Sequence, residues 1–185
     1  MSLAHSQDIR TKRLHLVATT VEHLYIELDR PEKLGAALDA QIPEGWPPGL
    51  YDRDAMQFFL AKGIEGGDEV VGWYGWYAIH RGSDENRSKL VASGGYFGPP
   101  TPEGDVEIGY SVVEQERCKG YATELVNALV TRALESGSVK RVFAEAHETN
   151  AASLRVLERA GFGRIGPGRE EGYLRLLFQG AKQNA

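Results

Sequence analysis

Cysteine is almost absent from this sequence of 185 residues, because Cys118 is the only one. A single thiol excludes an internal disulfide and a cysteine-based metal site. Long apolar runs are also missing. The longest, at residues 70–79, is far shorter than the roughly 20 residues that a membrane-spanning helix needs. The first thirty residues contain no apolar core of the kind that signal peptides have. These absences predict a cytoplasmic protein that does not associate with membranes.

An excess of basic charge is lacking too. The sequence has 21 Lys and Arg residues against 26 Asp and Glu residues, which gives a formal net charge of −5. This balance provides no electrostatic footprint for nucleic acid or for an anionic membrane, and it favours a small molecule or a basic peptide as partner. The length and the 42% of hydrophobic residues predict one domain over residues 1–185. Residues 180–185 have no pattern and are expected to form a frayed tail.

The hydrophobic periodicity predicts a fold of the α/β (α+β) class. Strands are predicted at residues 9–18, 69–80, 89–97, 106–113, 139–146, 162–165 and 172–178. Helices are predicted at residues 20–28, 52–66, 121–135 and 151–160, with a weaker one at 31–40. Turn-forming residues at 82–86 and 98–104 indicate an antiparallel connection of the strands beside them.

Residues 117–122, with the letters RCKGYA, lie between a predicted strand and a predicted helix. A helix start exposes unpaired N–H groups and the positive end of the helix dipole, and small residues there let a phosphate approach the backbone. Arg117 and Lys119 add positive charge beside Gly120 and Ala122. The Lys-Ser/Thr pair of a nucleotide-binding P-loop is absent, so an anion site of another kind is predicted.

The segment resembles the R/Q-x-x-G-x-G/A signature with which the GNAT superfamily of acetyltransferases binds the pyrophosphate of coenzyme A. Three further segments are similar to the branch of ribosomal-protein N-terminal acetyltransferases, in the same order along the chain. They are residues 11–16 (TKRLHL), 106–110 (VEIGY) and 150–162 (NAASLRVLERAGF). The resemblance implies a mixed, mainly antiparallel sheet of six to seven strands, splayed between strands 4 and 5 and flanked by about four helices.

The resemblance also implies acetyl-CoA as co-substrate and no metal. The backbone of residues 111–113 is expected to be unpaired in the splayed gap, free to bond the pantetheine arm. The cofactor contacts implied in this way are Ser111, Val112, Val113, Arg117, Cys118, Lys119, Gly120, Tyr121, Ala122, Thr123, Asn150 and Ser153. Asn150 and Ser153 are equally well interpreted as the polar start of a helix, where Asn is a favourable cap.

Two catalytic residues are candidates, Glu107 and Ser153. Glu107 is the first candidate for a base that takes a proton from the attacking amine, although a Glu on a strand is usually solvated. Many members of the superfamily carry a tyrosine acid seven residues after the position of Asn150, but this position is Leu157 here. Ser153, Tyr110, water or no acid at all are the alternatives that this departure leaves.

The function predicted in this way is transfer of an acetyl group from acetyl-CoA to a primary amine, on a protein N-terminus or on a small molecule. The resemblance further implies a monomer or a homodimer. A module that binds acyl-CoA as a sensor, without turnover, is the alternative, because the usual acid is missing.

Overall fold

An eight-stranded sheet forms the centre of the described part of the chain, residues 8–82 and 87–180, in this computed structural model. Its strands are β1 (Ile9–Arg10), β2 (Leu14–Ala18), β3 (Gly75–His80), β4 (Lys89–Tyr96), β5 (Asp105–Val112), β6 (Arg141–His147), β7 (Phe162–Pro167) and β8 (Tyr173–Phe178). The α-helices of these residues are α1 (Val21–Asp29), α2 (Leu34–Leu38), α3 (Arg53–Gly66), α4 (Tyr121–Glu135) and α5 (Ala151–Arg159). Short 3₁₀ turns lie at Pro31–Lys33, Gly67–Val70 and Glu114–Glu116.

The strands follow the order β1-β2-β3-β4-β5-β6-β8-β7 across the sheet. Every neighbouring pair is antiparallel except β5 and β6, which run parallel and are joined through α4. A parallel pair needs a crossover connection, and the helix supplies it. The predicted class, a mixed and mainly antiparallel α/β sheet, is confirmed.

The sheet has one strand more than the six to seven that were expected, because the strand predicted at residues 9–18 is two strands. The backbone N–H of Thr11 donates to the carbonyl of Leu14 at 2.9 Å and closes a turn. β1 therefore folds back onto β2, with Ile9 opposite Leu16 and Arg10 opposite His15. The short helix α2 likewise raises the helix count above the expected four.

The strand predicted from residue 69 begins only at Gly75, which corrects that boundary. Residues 67–70 form a 3₁₀ turn, and the N–H of Trp73 donates to the carbonyl of Val70. Gly72 has a φ of +81°, which an extended strand does not allow. Most of the turn predicted at 82–86 and all but the first residue of the tail predicted at 180–185 lie outside the described residues.

Hydrophobic cores lie on both faces of the sheet. On one face, α4 and α5 pack on alternate residues of the strands, such as Leu14, Leu16 and Ile108. On the other face, α1, α2 and α3 pack on residues such as Val17 and Tyr77. Strand side chains alternate between the two faces, so neighbouring residues of one strand point to opposite sides of the molecule. The two faces are called the α4–α5 face and the α1–α3 face below.

Candidate active site

The start of α4 is built to receive an anion. Gly120 precedes the helix with a φ of +83°, and Cys118 has a φ of +62°, so the backbone turns sharply into the helix. Side chains of Thr20, Asp52 and Asn150 cap α1, α3 and α5, whereas no side chain caps the start of α4. The first N–H groups of α4 are therefore left for an external acceptor.

A carboxylate of α4 anchors this helix start to the N-terminal strands. Glu124 accepts hydrogen bonds from Thr11 Oγ1 at 2.6 Å, from the backbone N–H of Arg13 at 2.7 Å and from Arg13 Nε at 2.7 Å. Arg13 also donates to the carbonyl of Lys119 at 2.8 Å, and its guanidinium stacks on the ring of Tyr121. The threonine and arginine of the opening motif thus hold the loop of residues 117–121 in place.

The two cations of the loop have different partners. Lys119 Nζ lies 2.8 Å from the buried carboxylate of Glu116, which also binds Lys89 at 2.6 Å. Arg117 is exposed and donates from Nε to the carbonyl of Val112 at 3.3 Å, and no carboxylate pairs with it among residues 8–82 and 87–180. Arg117 is therefore the cation of this loop that can turn toward a bound phosphate.

The sheet opens between β5 and β6, the two strands expected to border the gap. Their pairing runs from Asp105 opposite Arg141 to Ile108 opposite Ala144 and ends there. Beyond this point the residues of β5 and β6 line a cavity of about 660 Å³, which extends between the two faces of the sheet. A cavity of this size matches the volume of small-molecule sites in general.

One detail of the expected gap is wrong. The backbone N–H of Val113 donates to the carbonyl of Val91 at 3.0 Å, so this group points to β4 and is not free. Backbone groups alternate in direction along a strand, so Val112 and Tyr110 direct theirs toward the gap, while Ser111 directs its own toward β4. Residues 110 and 112 are therefore the residues whose backbone groups face this gap, and the carbonyl of Val112 also accepts from Arg117 Nε at 3.3 Å.

Tyr110 and Ser153 meet on the α4–α5 side of the cavity. The hydroxyl of Tyr110 lies 2.9 Å from Ser153 Oγ and 3.2 Å from the Ser153 carbonyl. Burial raises the pKa of Tyr110 to about 12, against a small lowering by the Ser153 hydrogen bond. A phenol with this pKa keeps its proton at neutral pH and acts as a hydrogen-bond donor. Asn150 caps α5 by accepting from the N–H of Ser153 at 3.0 Å, so its role at the helix start is observed.

Glu107 faces the opposite side of the cavity and belongs to a cluster of four charges. Arg169 Nη2 donates to Glu107 Oε1, and Arg175 Nη1 lies 3.7 Å from Glu107 Oε2. Glu145 shares both arginines, with Arg175 Nη1 at 2.9 Å and Arg169 Nε at 3.4 Å. Burial raises the pKa of Glu107, the guanidinium of Arg169 opposes this rise and the carboxylate of Glu145 adds to it.

A loop on the α1–α3 side closes the cavity above these charges. A Cβ on Gly49 would lie 2.5 Å from Ser111 Oγ, so only glycine lets the loop pack this closely on β5. Leu50 is exposed at the mouth, and the rings of Tyr51 and Phe97 line the same side. This side of the cavity is therefore apolar at its mouth and charged at its base.

The structure brings the predicted site residues together in two groups. Glu107, Ser111, Asn150 and Ser153 line the cavity, whereas the loop of residues 117–123 lies past the end of β5 at the start of α4. Sequence reasoning missed Glu145, Arg169 and Arg175. Glu145 and Arg175 are charged residues within the apolar strands β6 and β8, and this was the available signal, because a charge buried in a sheet requires a partner. Arg169 lies in the turn between β7 and β8 and gave no such signal.

A sequence model of the family described as "Acetyltransferase (GNAT) domain" matches residues 20–163 of this chain. The chain belongs to the GNAT acetyltransferase family. It is an acetyl-CoA-dependent acetyltransferase, as its motifs predicted. The N-acetyltransferase YjdG of Bacillus subtilis (strain 168), whose function is uncharacterised, is 31% identical over 154 residues, which cover 83% of this chain and 88% of YjdG.

Solved structures of other GNAT proteins share the fold. RimL, a ribosomal L7/L12 alpha-N-protein acetyltransferase in complex with coenzyme A, has a TM-score of 0.63 at 17% identity, over 92% of this chain and 95% of RimL. The ribosomal-protein-S5-alanine acetyltransferase from Vibrio fischeri has a TM-score of 0.60 at 15% identity, over 92% of this chain and 93% of that one. At 15–17% identity, these likenesses show the shared fold alone.

The geometry fits the cofactor of this family. The uncapped start of α4 leaves N–H groups for a pyrophosphate, and the gap between β5 and β6 offers backbone groups of Val112 and Tyr110 to an extended amide-bearing arm. Among the described residues, no group of three or more His, Cys, Asp or Glu side chains is placed to hold a metal ion. None of the described helices is long and apolar enough to span a membrane.

Proposed function

We propose that this GNAT enzyme acetylates a primary amine that reaches Glu107 from the α1–α3 side of the cavity. The observation that carries the proposal is the position of the cavity, which joins the Tyr110–Ser153 pair on one side to the Glu107 cluster on the other. Cofactor and acceptor then approach from opposite sides and meet in the gap. Holding two reactants together in this way supplies a large part of the acceleration of such a reaction.

In the proposed mechanism Glu107 accepts the proton that an ammonium group must lose before its nitrogen can attack. The neutral amine nitrogen forms a bond to the thioester carbonyl carbon and gives its second proton to water, and the carbon–sulfur bond breaks to release the thiolate of coenzyme A. Tyr110 donates a hydrogen bond to the sulfur, directly or through Ser153, because its raised pKa makes it a poor proton donor. Solvent supplies the proton that the thiolate finally takes.

The proposed cofactor contacts are the residues inferred from the motifs. The first turn of α4, residues 120–123, and Arg117 bind the pyrophosphate, while Cys118 and Lys119 shape the loop. Val112 is the backbone partner of the pantetheine arm, and Ser111 and Val113, whose backbone groups point to β4, lie on either side of it along the chain. Asn150 and Ser153 contact the same arm from the start of α5.

The acceptor is a protein N-terminus or an amine-bearing small molecule. The enzyme itself is a monomer or a homodimer. Two proteins with the same fold are acetyltransferases of ribosomal proteins, which places peptides with free N-termini in the test panel.

Acetyl-CoA binding is measured by calorimetry, with coenzyme A and ATP as comparisons, and thiol release is then followed with a panel of amines. Amine-dependent release supports the proposal, binding without release favours a sensor, and no binding contradicts the site at residues 117–123.

Replacement of Glu107 by glutamine is expected to lower kcat by about 100-fold with little change in acetyl-CoA affinity, because a positioned base contributes on the order of 10²–10⁴ in rate. In the wild type, kcat/KM falls as the pH drops through the raised pKa of Glu107, since the protonated carboxyl cannot accept a proton. The variant lacks this acidic limb. A wild-type rate in Glu107→Gln at every pH excludes Glu107 as the base.

Replacement of Tyr110 by phenylalanine is expected to lower kcat by roughly 10-fold, because the ring still packs while the hydroxyl near Ser153 is lost. Tyr173, which also lines the cavity but on β8, provides the matched control as Tyr173→Phe. Steady-state rates with a fixed acceptor measure the effect. Equal rates in both variants and in the wild type would assign no role to the Tyr110 hydroxyl.

A further inference from the structure

Arg169 covers the carboxylate that is proposed as the base. Its Nη2 donates to Glu107 Oε1, and its Nε lies 3.4 Å from Glu145 Oε1. The side chain of Arg169 is 63% exposed, whereas those of Glu107 and Glu145 are only 13% and 10% exposed. A guanidinium bonded to a carboxylate lowers the affinity of that carboxylate for a proton, so Glu107 takes a proton from an acceptor more readily once Arg169 has left.

The backbone of Arg169 is fixed, so its side chain is the movable part. The backbone N–H of Arg169 donates to Glu145 Oε2 at 3.1 Å, and the N–H of Gly168 donates to the carbonyl of Tyr173 at 2.6 Å. A Cβ on Gly168 would lie 2.7 Å from the Cβ of Tyr173, which leaves no room for the turn to shift inward. An ion pair in contact with water is weak, because screening and side-chain entropy offset the attraction. Its two carboxylate partners are largely buried, so the guanidinium leaves at little cost only when another cation takes its place.

The side chain of Arg175 is fixed by its contacts, unlike that of Arg169. It is 32% exposed, bonds Glu145 at 2.9 Å and places its guanidinium 4.5 Å from the ring centroid of Phe143. The two glutamates and two arginines carry no net charge together. When the Arg169 side chain swings out, the remaining three carry a net charge of −1 in a poorly hydrated cavity. One cation is needed to neutralise it.

We propose that Arg169 is a side-chain gate whose guanidinium holds the place that the ammonium group of the acceptor takes beside Glu107 and Glu145. This inference rests on the proposed function, since it assumes that Glu107 receives the proton of the acceptor. It narrows the acceptor to amines that are protonated at neutral pH, such as alkylammonium groups and peptide N-termini. Neutral aromatic amines do not replace a guanidinium and leave the gate closed.

The gate is tested by binding of n-butylammonium chloride, without acetyl-CoA, to the wild type and to Arg169→Ala. The variant is expected to bind it about three- to tenfold more tightly, because the internal competitor for the site is removed. Arg164→Ala is the matched control, since Arg164 is 55% exposed and pairs with Glu158 outside the cavity. It loses the same charge and is expected to bind like the wild type. In the wild type, the nitrogen-15 NMR signal of Arg169 Nε–H, assigned by its loss in the variant, is expected to shift on titration.

A second variant and a second ligand distinguish the gate from other roles of Arg169. Glu145→Gln in the Arg169→Ala background is expected to reverse the gain in affinity. Unchanged n-butylammonium affinity in Arg169→Ala, or a gain equal to that of Arg164→Ala, overturns the gate. Binding of sodium butyrate that is lost in Arg169→Ala also overturns it, because Arg169 would then recruit an acidic group. Tighter n-butylammonium binding by Arg169→Ala, without acetyl transfer to any amine by the wild type, supports the gate but contradicts the proposed function. Acetyl transfer by the wild type, with unchanged n-butylammonium affinity in Arg169→Ala, supports the proposed function but contradicts the gate.

Discussion

Replacement of Gly120 by aspartate is expected to weaken acetyl-CoA binding by at least about 100-fold, because two unit charges roughly 4 Å apart near a protein surface interact with about 4 kcal/mol. Gly120 lies at the uncapped start of α4 with a φ of +83°. Its Cβ would lie 3.2 Å from Arg13 Nη2, so the new carboxylate lies beside the loop that Arg13 holds at the start of α4. It can also cap the helix and occupy the N–H groups that the pyrophosphate needs. Calorimetry with acetyl-CoA measures the loss.

Gly137→Asp is the matched control for this substitution. Gly137 lies just beyond the other end of α4 with a φ of +74°, and no atom lies within 4 Å of its Cβ position. Both variants therefore add the same charge and the same backbone strain, of the order of 1 kcal/mol. Wild-type affinity is expected in Gly137→Asp only. The thermal midpoint of Gly137→Asp is expected to be the lower of the two, because a carboxylate is favourable at the start of a helix and unfavourable at its end. Wild-type affinity in Gly120→Asp would contradict the assignment of the pyrophosphate site.

The elements with a strong local signal were predictable from the sequence. α4 was predicted at residues 121–135, and the structure gives the same bounds. Its buried residues Tyr121, Leu125, Leu129 and Ala133 recur at one helical turn, and Gly137 ends the pattern. The gap in the sheet was placed between the right strands, because the motif of residues 106–110 lies on β5 and the resemblance implied the strand at residues 139–146 as the other border. Local periodicity and short motifs therefore predict α4 and the strands that border the gap.

Contacts between distant residues were not predictable in this way. Glu107 and Arg169 are 62 residues apart, and they meet only because β8 lies between β6 and β7. The bonds from Thr11 and Arg13 to Glu124 span more than a hundred residues. The break between β1 and β2 was missed for a similar reason. The turn at Thr11 contains neither Gly nor Pro, and the tertiary contact with Glu124 holds it.

The buried carboxylate of Glu27, below the loop on the α1–α3 side of the cavity, was also missed, because a single Glu on an amphipathic helix carries no local signal. Glu27 of α1 is buried and accepts hydrogen bonds from Trp46 Nε1 at 2.5 Å, from the Tyr51 hydroxyl at 2.8 Å and from the Tyr77 hydroxyl at 2.6 Å. Trp46 and Tyr51 belong to the loop that packs on Ser111. Glu27 therefore holds this loop against the sheet, and its loss affects both the free energy of unfolding and the binding of the acceptor.

Replacement of Glu27 by alanine is expected to lower the free energy of unfolding by about 3 kcal/mol, because three buried donors lose their acceptor and a cavity remains. For a protein of this size, this corresponds to a fall in Tm of roughly 6–12 °C. Thermal and urea denaturation measure the loss. The KM of the acceptor is expected to rise while acetyl-CoA affinity stays unchanged, since the loop is loosened and α4 is not.

The pH dependence and two further variants test this role of Glu27. Burial raises its pKa, against the opposing hydrogen bonds of Tyr77, Tyr51 and Trp46, so its contribution to stability is full below the unfolded pKa of about 4.3 and falls as the pH rises through the folded pKa. The stability difference between wild type and Glu27→Ala is therefore expected to be larger at acidic than at alkaline pH.

Glu27→Gln keeps one acceptor oxygen and is expected to lose less stability than Glu27→Ala. Glu22→Ala, an exposed site on the same helix, is expected to lose less than about 1 kcal/mol. Equal losses for Glu22→Ala and Glu27→Ala would show that the three hydrogen bonds do not hold the loop.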